Sequence, residues 1–538
     1  MTAEIVHEAI VVGSGPAGIA CALGLAEHGA AVTIIDGGLT LEPELEARRA
    51  ARAAGTPPAA AGGIAATAPR DGSRLPTKLS FGSRFSYDIP MAGDAVRHDG
   101  SGLDGSYAVG GLSNVWGAAL LGYRASDMTD WPVDPAMLDR SYRAAMELLP
   151  LAAEVDGLAD LFPLYKVPEN EALLSGQGRA LLGRLGRSRS WLEADGISFG
   201  AARLAVDVAG TRSGLDCTLC GRCFDGCDRD LIYSSRQSLA DLRRRFGVRY
   251  RPGLIVKSAE ESGDLVRLDC RRPDGAREVL SAARVFLAAG VVNSTAIMLR
   301  SLGAYDVPIK ILDSQYYLVP FWDTGGRSAD LSAAHPALSQ AFLEVENTAL
   351  SRFTLHLQLY GYSEGIDREL RRVAPLAWLP ALRNWTLGHL LLGQGYLHSA
   401  DSGHVVARLH KGGEGDVLAL EGHPSAASRP IIRRLLALLA KKARTTGARP
   451  IARLLRMTEP GRGFHSGGSF PMRREPGPRE TDVLGRLPGF TRLHIVDASV
   501  FPSIAATTIT LTAMANAHRI GAEASRLVSR KEKAWTAT

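Results

Sequence analysis

The hydrophobic pattern is most regular at the amino terminus. Apolar Ile10, Val11 and Val12 read as a buried parallel strand. Gly13-Ser14-Gly15-Pro16-Ala17-Gly18 turns that strand into an apolar helix predicted to end near Gly29. Residues 31–35 form a second strand with Asp36 at its carboxyl end. The text then becomes rich in Pro, Gly and Ala from about 37 to 90. It reads as a surface excursion, with one charged stretch at 41–54 that could form a short helix. Asp134 is placed to cap a helix starting at Pro135, with Met137, Leu138, Tyr142, Ala145, Met146 and Leu149 at helical spacing. Residues to about 205 continue as helices and loops.

Strand-like alternation returns at 248–257 and 265–270. The short apolar strand at 283–287 ends in a glycine that again opens a helix, at 288–301. From about 302 to 454 the pattern changes to strand-like runs at 315–321, 353–362 and 395–410, separated by helical or loop insertions. The segment 375–392 is apolar with two Trp and reads as a lid or core helix. The segment 429–444 reads as a basic amphipathic helix with a core stripe. A final strand near Leu493 leads through Asp497 and Pro502 into a long closing helix.

Length, composition and charge narrow the classes. A chain of 538 residues exceeds one ordinary core, so two intimately joined domains are predicted. With 46% hydrophobic and 22% charged residues, and a mean hydropathy near zero, the composition is that of a globular protein. The net charge of +6 is small for this length, and no basic run is interleaved with aromatics, which disfavours nucleic-acid binding. The amino terminus lacks a basic region followed by an apolar one, and no apolar run reaches the ~18 residues of a membrane span. A cytoplasmic location is therefore expected. In that reducing compartment clustered thiols point to metal or redox chemistry rather than disulfides.

Three stretches carry candidate chemistry. In the first, strand, glycine loop, helix, second strand and acid stand in register. Gly13, Gly15 and Gly18 would let the backbone approach a pyrophosphate at the helix N-terminus, with Asp36 spaced for an adenosine ribose hydroxyl. In the second, Cys217, Cys220, Cys223 and Cys227 form a C-x2-C-x2-C-x3-C run that matches iron–sulfur ligation in bacterial ferredoxins, except that Asp228 stands where a Pro usually follows. A single 3Fe-4S or 4Fe-4S cluster is the favoured reading; zinc and unmetallated thiols remain open. Cys21 and Cys270 read as small core residues. In the third, His465 precedes a Gly-Gly turn.

The order GSGPAG, GGLSNVWG, FHSGGSFPM and HIVDASVFPS resembles the glucose–methanol–choline (GMC) oxidoreductases, at four places spread over the whole chain. The resemblance implies an α/β (α+β overall) architecture. A Rossmann-like FAD-binding domain would be assembled from 1–130, 205–301 and 455–530. An antiparallel-sheet substrate domain would come from 131–204 and 302–454. It implies FAD, with Gly13, Gly15, Gly18 and Asp36 on the ADP half, Gly111, Ser113 and Asn114 by the isoalloxazine, and Val256 by the adenine. Asp497 and Ala498 would lie near the ribityl and pyrophosphate, and His465 would be the catalytic histidine. The second active-site position of the family usually holds Asn or His; here it is Thr508, which can donate a hydrogen bond but cannot act as a base near neutral pH. His518, further along the closing helix, reads as a packing residue.

The implied reaction is oxidation of a hydroxyl to a carbonyl, with hydride to flavin N5, His465 as base and Thr508 orienting the hydroxyl. The wording of SNVWG and of the closing segment is similar to bacterial sugar-alcohol oxidising enzymes of antibiotic pathways, which implies a sugar-like or aminoglycoside alcohol. Electrons would pass to oxygen or, through the cysteine run, to an external acceptor. A flavin-containing lyase or a C–C desaturase on the same scaffold are the alternatives.

Overall fold

The computed structural model describes residues 6–55, 78–89, 95–326, 335–373, 379–413 and 415–535. Val6–Val12 is the centre of the first sheet. It pairs in parallel with Val32–Ile35 on one side and Arg277–Leu287 on the other, aligning Val12 with both Ile35 and Leu287. All three strands therefore end at one edge, where an α/β sheet places its ligand crevice. Arg249–Arg251 extends the parallel layer beyond Val32–Ile35, and Leu493–Ile495 pairs in parallel with the end of Arg277–Leu287. Leu265–Arg271 and Ile255–Ser262 complete the sheet as antiparallel strands. The predicted strand at 248–257 is thus two strands, divided around Gly253, whose φ is +74°.

Helix Pro16–Ala26 packs along the closing helix Thr510–Trp535 through small residues. A Cβ on Gly24 would stand 2.4 Å from the His518 carbonyl oxygen, and one on Gly521 would stand 2.6 Å from that of Cys21. His518 is buried between helices, with Nδ1 3.0 Å from Ser141 Oγ and Nε2 3.1 Å from Glu27 Oε2. This is the packing position expected of it. Cys21 and Cys270 are fully buried, also as expected.

The second sheet is antiparallel, in the order Ala448–Pro450, Tyr316–Asp323, Leu390–Tyr396, Leu355–Tyr360, Ser339–Val345, Ile197–Ala201. Its outer face is covered by helix Ser428–Thr446, which buries Ile431, Ile432, Leu435, Leu436 and Leu439 as its amphipathic pattern predicts. The strand Ile197–Ala201 lies in a stretch expected to hold helices and loops. The run expected at 395–410 is two strands, Leu390–Tyr396 and His404–His410, separated by a helical turn at Ser399–Asp401. The apolar segment 375–392 is not one helix: helix Pro380–His389 passes directly into strand Leu390–Tyr396, while 375–378 lie outside the described residues. A third sheet, Ser466–Gly467, Ile309–Asp313, His404–His410, Val417–His423 and Ala95–Asp99, joins strands from both sides of the expected domain division. Among the described residues, no helix is long and apolar enough to cross a membrane.

Candidate active site

A cavity of about 1440 Å³ runs from the carboxyl edge of the first sheet to the inner face of the second. The glycine loop opens it. Gly13 holds a φ of +105°, and a Cβ there would lie 2.4 Å from the Ala288 carbonyl oxygen. A Cβ on Gly18 would lie 1.9 Å from the oxygen of Gly13. These two glycines let strands and helix approach each other. Gly15 differs: it has ordinary backbone angles, and a Cβ on it would meet nothing within 4 Å. Its open side is a cradle at the N-terminus of helix Pro16–Ala26, where free N–H groups and the helix dipole favour an anion. Gly290 repeats the arrangement at the start of helix Val291–Ser301, with no neighbour within 4 Å of a Cβ and a φ of +80°. Both glycines line the same cavity.

Two carboxylates brace these loops. Asp36 ends the second strand; Oδ1 accepts from the Tyr250 hydroxyl at 2.7 Å and from Gly38 N–H at 2.9 Å, and Oδ2 accepts from Ser14 Oγ. Asp497 accepts from Gly290 N–H at 2.9 Å, Ser294 Oγ at 2.5 Å and Ser499 N–H at 2.9 Å. Burial raises the pKa of both above the usual carboxylate value, against these hydrogen bonds. Asp36, Asp497, Ala498 and Val256 all line the cavity.

The segment 110–121 crosses the cavity floor. Gly110 and Gly111 take left-handed φ values of +85° and +56°, which sets a tight turn into the short helix Gly111–Asn114. Gly111 and Ser113 line the cavity, with Ser113 Oγ donating to the Gly110 carbonyl at 2.5 Å. Asn114 does not: its Nδ2 donates to the carbonyls of Val109 and Gly111, and its Oδ1 accepts from Ser234 Oγ. Asn114 therefore holds in shape the loop whose neighbours Ser113 and Val115 line the cavity.

His465 lines the far part of the cavity, stacked on Tyr396 with ring centroids 4.5 Å apart and planes at 14°. Its Nδ1 is buried without a hydrogen-bond partner among the described residues. Burial, aided by nearby His356, pushes the imidazole down to about 3, so it is neutral at pH 7. Thr508 also lines the cavity, but its hydroxyl donates to the Leu121 carbonyl at 3.0 Å and accepts from the Leu121 N–H at 2.8 Å. Thr508 thereby fastens two chain segments together, and its proton is committed to Leu121, so toward the cavity its hydroxyl has only a lone pair to offer.

The cavity wall contributed by the second sheet was not anticipated. Gln358 and Tyr360 line it from strand Leu355–Tyr360, alongside Tyr396 from the neighbouring strand. The signal lies in LHLQLY, where His356, Gln358 and Tyr360 alternate with three leucines. Such alternation marks a strand with one polar face; that the polar face meets a cavity follows only from the strand's central place in the sheet.

The cysteine run gives a different result. Among the described residues, no three or more His, Cys, Asp or Glu side chains are grouped so as to hold a metal ion. Cys220 is exposed, while Cys217 and Cys227 are half-buried and accept weak hydrogen bonds from Leu219 and Leu231 N–H. As folded, the residues do not fit a cluster or zinc, and the expectation of metal ligation is not supported. FAD fares otherwise: the open Gly15 cradle, the second helix N-terminus at Gly290 and one long cavity joining them to His465 fit an extended dinucleotide.

Residues 425–517 match the family model described as GMC oxidoreductase. That stretch holds two of the four motifs, FHSGGSFPM and HIVDASVFPS. The fold is similar to that of pyridoxine 4-oxidase from Mesorbium loti, with a TM-score of 0.60 and 16% identity over 96% of this chain and 99% of that one. No curated protein matches the sequence.

Proposed function

We propose that this protein is an FAD-dependent oxidoreductase that converts the hydroxyl-bearing carbon of a small alcohol to a carbonyl. The observation that carries this reading is the joining, in one cavity, of two glycine-opened helix N-termini with a buried, neutral histidine. Gly13, Gly15, Gly18 and Asp36 would hold the ADP half, with Val256 beside the adenine. Gly111 and Ser113 would lie by the ring, and Asp497 and Ala498 near the ribityl and pyrophosphate. FAD, when bound, supplies the two-electron acceptor for hydride leaving the carbon.

The chain's own part is to orient the alcohol, exclude water and take the hydroxyl proton. His465 is the group placed for the last task. Its neutrality at pH 7 is what acceptance requires, while the burial that keeps it neutral also weakens it as a base. Tyr396 stacks flat on the imidazole and limits its rotation. The polar wall at Gln358, Tyr360 and Gln394 suits a substrate with several hydroxyls, which supports a sugar-like alcohol. Oxygen or an external acceptor would reoxidise the enzyme; no route through Cys217–Cys227 enters this reading.

The test is anaerobic mixing of purified holoenzyme with a panel of sugar alcohols. Bleaching of the flavin absorbance with a stoichiometric carbonyl product is expected. Bound flavin that no alcohol bleaches would refute the reading.

A further inference from the structure

From Tyr360 and Gln358 on the cavity wall a line of hydrogen-bonded polar groups runs inward to Glu344. The Tyr360 hydroxyl donates to Gln358 Oε1 at 2.8 Å. Gln358 Nε2 lies 3.0 Å from His356 Nε2, and His356 Nδ1 lies 2.5 Å from Glu344 Oε1. Glu344 and His356 are completely buried. Three of the four residues sit at alternate positions of strand Leu355–Tyr360; the fourth faces His356 across the register with Ser339–Val345.

Hydrogen-bond chemistry gives this line a direction. An ionised carboxylate only accepts, so His356 must carry a proton on Nδ1. With the Gln358 amide nitrogen turned toward His356, Nε2 presents its lone pair to Gln358 and the ring's proton sits on Nδ1. Gln358 then has only its carbonyl left for Tyr360, whose single proton is thereby turned inward. The phenol oxygen stands beside the loop at 110–121: a Cβ on Gly117 would lie 3.6 Å from it. What Tyr360 offers the cavity is lone pairs.

We propose that Tyr360 is a specificity-determining residue that accepts a hydrogen bond from the substrate. Glu344, His356 and Gln358 are positioning residues that fix this polarity. The substrate class that follows is an alcohol carrying a second donor, a further hydroxyl or an amine, away from the carbon that reacts. This deepens, and rests on, the alcohol oxidation proposed above. An analogue that keeps the reacting hydroxyl but has ethers in place of its other hydroxyls leaves the Tyr360 lone pairs without a donor and is disfavoured.

The experiment compares methyl glucoside with methyl 2,3,4-tri-O-methyl-glucoside, which share one primary hydroxyl and differ in their other donors. Anaerobic flavin bleaching is followed in wild type, Tyr360→Phe and Gln358→Leu holoenzymes. Wild type is expected to prefer the unmethylated sugar by about tenfold or more in kcat/KM. Tyr360→Phe should lose most of that preference through KM rather than kcat. Gln358→Leu, which frees the Tyr360 proton, should lose it as well. A Tyr360→Phe enzyme that keeps the wild-type preference would overturn the proposal. If neither sugar bleaches the flavin, the alcohol reading fails for these substrates, and the second arm decides the polarity by itself. In nitrogen-15 NMR, with His356→Gln used for assignment, His356 is expected as the neutral Nδ1–H tautomer. A proton on Nε2 would overturn the proposal.

Discussion

Gly15→Ala separates cofactor binding from folding more sharply than any other single change in the loop. Gly15 has φ −66° and ψ 175°, angles open to any residue, and the new methyl would meet no atom within 4 Å. Restricting the unfolded chain stabilises by about 0.4–1 kcal/mol. Replacing Gly with Ala at a helix N-cap costs about 0.5–1 kcal/mol in return. The apoprotein should therefore unfold within about 1 kcal/mol of wild type, a Tm shift of about 2 °C or less. A pyrophosphate seated on the helix N-terminus, in contrast, would meet the methyl. Loss of one charge-assisted backbone hydrogen bond, about 1.5–3 kcal/mol, weakens FAD binding by about 10- to 100-fold. Gly13→Ala is the contrast: at φ +105°, with its Cβ 2.4 Å from the Ala288 carbonyl, it should prevent folding. The assays are calorimetric titration of apoprotein with FAD and thermal unfolding of the same samples. Wild-type FAD affinity in Gly15→Ala, or collapse of its fold, would refute the assignment of this loop to the cofactor.

Thr508→Val removes both hydrogen bonds to buried Leu121 and should destabilise by about 2 kcal/mol while changing kcat little; a large fall in kcat at unchanged stability would return Thr508 to the chemistry. His465 titrates near 6.5 when unfolded and about 3 when folded, so between those values the unfolded chain binds more protons and stability is lost as the pH is lowered. Asp313, raised to about 7 by burial, acts in the opposite sense, so the informative quantity is a difference. From pH 7 to pH 5, wild type should lose about 2 kcal/mol more than His465→Gln in denaturant unfolding; equal losses would contradict the burial of a neutral imidazole. Cys220→Ser alters an exposed thiol outside any described metal-binding group and should shift unfolding by about 0.5 kcal/mol or less. A large loss, with loss of bound iron, would reinstate a cluster.

The first sheet was legible because its constraints are local. Gly13, Gly18 and Asp36 follow one strand–helix–strand unit, in which backbone approach allows few residue types. Val12 ends opposite both Ile35 and Leu287, so the recurrence of strand, glycine and helix near Ala288 also returned the chain to the right layer. The second sheet was harder to read. Ile197–Ala201 and Ser339–Val345 pair across more than a hundred residues of chain, and each is buried on both faces, so neither shows alternation. The polar line through Glu344 was hidden for the same reason. Thr508 and Asn114 were placed in the right loops, yet their side chains were already engaged by backbone groups that local spacing does not reveal. The cysteine run shows the reverse hazard: regular spacing, but among the described residues no group arranged to hold a metal ion.

The most direct measurement is the rate of flavin reduction by a sugar alcohol in anaerobic stopped flow, for wild type and His465→Gln carrying equal FAD. The expected result is bleaching in wild type and a rate lower by about 10²–10⁴-fold in the variant, with its flavin still bound. Equal rates in the two proteins, or flavin that no alcohol bleaches in either, would contradict His465-assisted alcohol oxidation.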